Sequence, residues 1–207
     1  MLMLEGITAG FIFSLSLFPG TVWLARVGYT GASGQVWAVT AGFWLAQLLW
    51  MVFAVPGLMM MARHLAFFSA GMHLFAAFVL LYMSLKYFRT ARADALDPGI
   101  ALPPWQTLFR RAFVQSLAMP MRLPAAMAIL LSTGVFINNR ADWPVLPGIL
   151  LGTLIGVSWW WGQTGFLAAF FAQRVPERIT LRSLNKIRPF CGLLFLVLAG
   201  VVIVLGL

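Results

Sequence analysis

Charge is scarce in this chain, and negative charge scarcer still. Of its 207 residues only 9% are charged, where a soluble domain of this size carries roughly 25%. With 62% hydrophobic residues, the composition is that of an integral membrane protein. Five residues are acidic, Glu5, Asp94, Asp97, Asp142 and Glu177, and all fall in loops or at the ends of apolar runs. A carboxylate proton relay and a hard-cation channel both need acids inside the membrane, so neither is expected. The one cysteine, Cys191, excludes an internal disulfide and a CxxC redox pair. No HExxH spacing, paired carboxylates or Ser-His-acid set is present, which speaks against an enzyme and against a bound metal or cofactor.

What the chain does have is apolar runs near the roughly 20 residues that span a bilayer as helix. They predict six transmembrane helices, at about 5–26, 36–60, 66–88, 110–136, 144–173 and 188–207, making residues 1–207 a single all-α membrane domain. The first run lacks a positive n-region and a small-residue cleavage site, so it is expected to remain as a span. Only the stretch from Lys86 to Arg110 is long. Its "RTARADALDPGIALPPW" reads as a linker outside the membrane, separating a repeat over about 1–90 from a second over about 109–207, with the linker near 91–108. Three spans per half insert the second half upside down, a 3+3 inverted repeat.

The net charge is +9. The basic residues sit at the ends of apolar runs, where anionic headgroups attract them, so membrane lipids rather than nucleic acid are the expected partners. Eleven Lys and Arg fall on one side of the membrane and two, Arg63 and Arg140, on the other. This positive-inside bias puts the linker and residues 174–188 in the cytoplasm and both termini outside. In "RVPERITLRSLNKIR", Arg174, Arg178, Arg182 and Lys186 recur every four residues, predicting a short basic helix on the cytoplasmic surface. Pro176 and Glu177 suit its first turn.

Within each half the first span is interrupted by proline: Pro19-Gly20-Thr21 in the first, Pro120 and Pro124 around Arg122 in the fourth. Proline removes a helical hydrogen bond and frees a carbonyl. In lipid such an opening persists only where it faces protein or a water-filled cavity, so breaks at matching depth predict a shared site. Arg122 lies too deep to snorkel and is expected to face the interior, where a guanidinium grips a carboxylate or phosphate with two hydrogen bonds. Arg111, Gln115 and Arg122 are spaced near whole turns and predict one polar stripe. Gln47 and Gln163 are candidates to bond a ligand or a neighbouring helix. His73 is the candidate for proton coupling, with packing as its alternative. Gly6, Gly10 and Ser14, and Gly148, Gly152 and Gly156, predict close helix packing, and some of the tryptophans, including Trp159 to Trp161, are expected to wall the cavity.

The stretches "FSLSLFPGTVWLARVGYTGASGQVWAVTAG", "FRRAFVQSLAMPMRLPAAMAILL" and "RITLRSLNKIRPFCGLLFLVLAGVVIVLGL" together resemble the LysE/RhtB family of amino-acid exporters along essentially the whole chain. The resemblance implies a six-helix inverted-repeat carrier in the bacterial inner membrane, exporting amino acids or related small metabolites on the proton gradient. It carries Pro19, Gly20 and Pro120 over to the family's two proline motifs. Thr21 stands where a second proline is usual, Met119 where asparagine is usual and Met121 where lysine is usual, with Arg122 one place beyond. The predicted site is therefore Pro19, Gly20, Thr21, Gln47, Gln115, Met119, Pro120, Arg122 and Gln163, binding an anionic or zwitterionic metabolite. A lipid flippase or scramblase and a non-transporting assembly partner are the alternatives, and a homodimer is compatible with either.

Overall fold

The first apolar run folds as two helices, not one. In the computed structural model, which describes residues 2–64, 68–90, 92, 96, 102–119, 121–134 and 143–206, α1 (Leu2–Leu15) and α2 (Phe18–Thr30) meet at a bend of 66°. Two long helices follow, α3 (Ser33–His64) and α4 (Phe68–Arg89). A second bent pair, α5 (Trp105–Leu117) and α6 (Arg122–Ser132), turns by 67°. Beyond a 3₁₀ turn at Trp143–Val145, α7 (Leu146–Phe170) and α8 (Glu177–Gly206) complete the order. The described residues contain no strand.

By length and hydropathy α3, α4 and α8 are able to cross a membrane, and five crossings result if each bent pair counts as one. Leu74, Phe78, Phe53, Phe190 and Val204 are between 63% and 72% exposed, an arrangement that a lipid surround makes favourable. The chain is a multi-pass membrane protein.

Small residues set the tightest packing. A Cβ at Gly10 would run into the carbonyl of Thr153, and one at Gly156 into that of Ile7, so α1 and α7 touch backbone to backbone. Gly148 lies outside this seam, with nothing near its Cβ position. Ser14 serves differently: its hydroxyl donates to Gln47 Oε1 at 2.8 Å, and Trp161 Nε1 donates to the same oxygen at 2.7 Å. The Gln47 side chain thereby ties α1, α3 and α7 together.

Two expectations are corrected. The basic segment is not a separate surface helix; α8 runs unbroken from Glu177 through Pro189 to Gly206. Phe190 and Cys191 follow Pro189 directly, and the helix continues through Gly192 into an apolar run. Pro56 likewise sits inside continuous α3, so proline alone does not open a helix here. Pro176 precedes α8, whose first-turn Glu177 accepts a 2.6 Å bond from the Leu96 N–H and anchors the linker. The second correction concerns the Arg111, Gln115 and Arg122 stripe. It required one continuous helix, and the bend between α5 and α6 separates the first two from the third.

Candidate functional site

Pro19 has no N–H to give the carbonyl of Leu15, and α1 ends there. The Tyr87 hydroxyl, from α4, lies 3.2 Å from that carbonyl oxygen and 2.7 Å from the Ser16 carbonyl, and accepts from the Phe18 N–H at 3.3 Å. One phenol thus serves groups on both sides of the opening. Pro120 lies outside the described residues, but its sequence position deprives the Ser116 carbonyl of a helical donor in the same way. Trp50 Nε1, from α3, lies 3.3 Å from that oxygen. At each interruption a donor from a neighbouring helix faces the carbonyl that the proline leaves without a helical partner.

Arg122 opens α6 and is only 5% exposed. Its Nη1 donates to Ser16 Oγ at 2.7 Å, Nη2 points to Met119 Sδ at 3.6 Å, and the guanidinium carbon stands 5.9 Å from the centroid of the Phe13 ring. Ser16 Oγ in turn donates to the Phe13 carbonyl at 2.5 Å. A thioether is a weak acceptor, so a five-donor group has one oxygen partner among these contacts.

The guanidinium borders a cavity of about 290 Å³ whose wall includes Ser16, Phe18, Pro19, Lys86, Met119 and Met121. Both α2 and α6 begin at this wall, and helix N-termini carry positive partial charge. Among the described residues Glu5 and Glu177 are the only acids, and neither lines it. Tyr82, Lys86 and Thr90, at the exposed end of α4, form the mouth.

A second cavity, about 440 Å³, lies between α2, α7 and α8. The single site predicted from sequence divides between the two. Pro19, Met119 and Arg122 line the first, Thr21 and Gln163 the second. Gly20 is buried in the first turn of α2 against Leu17 and Phe43. Gln47 is fully buried in its bonds to Ser14 and Trp161, while Gln163, its expected counterpart, is exposed. Gln115 is exposed on α5, and His73 lies half-buried on α4; neither lines either of these two cavities. Three consecutive tryptophans have three settings: Trp159 is exposed, Trp160 walls the second cavity, and Trp161 stacks on Phe43 in the core.

Sequence reasoning missed Ser16, Tyr87 and Lys86. Ser16 was visible as the hydroxyl nearest ahead of Pro19 in an apolar run. Tyr87 and Lys86 carry no local signal, because their role depends on α4 crossing the break.

A sequence model described as LysE type translocator matches residues 12–206. Neither the curated proteins nor the solved structures gave a match.

Proposed function

The chain belongs to the LysE type translocator family, and on that premise we propose that it is a secondary exporter whose substrate places a negative group on Arg122, in the cavity between the two broken helices. The observation that carries this is a nearly buried guanidinium whose oxygen partner among the described residues is Ser16, facing a hollow whose described wall has no carboxylate. An unpaired buried cation is unfavourable unless something completes its shell. A carboxylate or phosphate does so, and is the class of group expected of an amino acid or related small metabolite.

Six spans in a 3+3 inverted repeat follow if α7 is counted as a crossing. Its 25 residues carry no charge and reach roughly 37 Å as helix. Trp159 to Trp161 and Gln163 depress its hydropathy. With both termini outside the bacterial inner membrane, the cavity mouth at Lys86 faces the cytoplasm, the loading side for export. Two bonds join the halves near the breaks, Arg122 to Ser16 and Trp50 to Ser116. Alternating access by rocking one half on the other breaks or re-forms them, with proton movement as the driving reaction.

The second cavity favours one other reading. Its wall is largely apolar, which suits the acyl chains that a lipid flippase handles. Proteoliposomes separate the two: solute counterflow without translocation of fluorescent phospholipid supports the exporter, and lipid translocation without solute flux replaces it with the flippase.

A further inference from the structure

We propose that the second cavity is the seat of a resident anionic phospholipid, with one acyl chain lying in the groove and the phosphate at its basic end. This binding site is separate from Arg122 and does not rest on the transport reading.

The groove exists because three helices do not close on one another. A Cβ at Gly28 would run into the Ala168 carbonyl, so α2 and α7 touch closely there. By contrast α8 packs on α4 and α6 and stands off from both. The space of about 440 Å³ that remains is walled by Leu24, Ala25, Leu167, Ala172, Leu184 and Ile187. Its inner end is apolar in effect. Thr21 Oγ1 and Trp160 Nε1 are buried and offer it almost no surface, and the Thr164 hydroxyl is turned to the Trp160 carbonyl at 2.8 Å.

The wall runs from Thr180 to Ile187 on α8 and from Trp160 to Ala168 on α7, roughly 10–12 Å of helix. One leaflet of hydrocarbon is about 15 Å deep. A groove of this length seats a chain from one leaflet and stops short of the other, which fits residence and not passage.

Charge at one end selects the headgroup. Where α7 and α8 approach each other, Arg174 lies in the chain between Ala172 and Val175 of the wall. Lys186 adjoins Ile187 and stands three residues from Ser183, on the neighbouring strip of α8. Both are exposed, as are Arg178 and Arg182. The acid of this stretch, Glu177, is engaged by the Leu96 N–H, and the linker so anchored carries Arg89 and Arg92 against Asp94 and Asp97. Positive charge therefore stays in excess. An apolar groove alone would accept any acyl chain; cations beside it favour a phosphate that carries net negative charge over a headgroup with its own ammonium.

The test is native mass spectrometry of the delipidated full-length chain in detergent, titrated with phosphatidylglycerol and with phosphatidylcholine of the same acyl chains. The wild type should retain one phosphatidylglycerol at least about tenfold more tightly than phosphatidylcholine. Arg174→Gln combined with Lys186→Gln, both at exposed positions that leave the packed core intact, should bring the two lipids to within about twofold of each other. Ala25→Trp, which fills the groove, should lose the tight lipid while eluting as a monodisperse species. Phosphatidylglycerol brominated on its chains tests the groove without that variant: its saturable quench of tryptophan emission should shrink in Trp160→Phe. Equal retention of the two lipids by the wild type, a preference kept by the double variant, or a quench unchanged in Trp160→Phe each overturns the proposal. Protein-dependent translocation of phosphatidylglycerol across proteoliposomes overturns residence in favour of the flippase.

Discussion

The Tyr87 hydroxyl stands 2.7 Å from the carbonyl oxygen of Ser16, where α1 stops and Pro19 prevents it from continuing. A donor from α4 therefore holds open a break that the first span makes in its own backbone, and the residue so held is the one whose hydroxyl receives Arg122. Fold and site share these atoms.

Tyr87→Phe removes that donor while keeping the ring that packs against Phe18 and Phe195. Stranding a buried carbonyl destabilises by about 1–3 kcal/mol. The expected outcome is a lower melting temperature together with a fall in flux per folded molecule, measured by thermal unfolding and counterflow on the same preparation.

Gln47→Leu should separate stability from transport. It leaves Trp161 Nε1 without its acceptor, a loss of about 1–3 kcal/mol. Because Gln47 lines neither cavity, flux per folded molecule should stay near wild type while the melting temperature falls.

Within one glycine row, two substitutions should behave oppositely. A side chain at Gly156 drives into the Ile7 carbonyl, whereas Gly148 has nothing near its Cβ position. Gly156→Leu is expected to lose the folded, monodisperse species in size-exclusion chromatography, and Gly148→Ala to elute as wild type.

Orientation is tested by an epitope after Leu207. With eleven basic residues against two, the positive-inside expectation puts it outside, and on that expectation an impermeant antibody should bind it on intact spheroplasts without permeabilisation.

The sequence made the broken helices legible because Pro19 and Pro120 lie in otherwise apolar runs that need an internal partner for any freed carbonyl. It made Arg122 legible because nothing apolar justifies a deep guanidinium. The partition of Thr21 and Gln163 into a second cavity was hidden, since it follows from how α2 bends away from α1. Tyr87 was hidden too: residue 87 and residue 16 meet through tertiary packing, which no local pattern encodes. The fate of Pro189 shows the reverse limit, a residue that looks like a break and is absorbed into a continuous helix.

A structure with a transported carboxylate bound tests the role of Arg122 most directly, through the distance from its Nη atoms to the ligand. A carboxylate oxygen at about 2.8 Å, with Met119 Sδ displaced from Nη2, is the predicted result. Ligand held instead in the second cavity by Thr21 and Trp160, with Arg122 still bonded only to Ser16 and Met119, would contradict it.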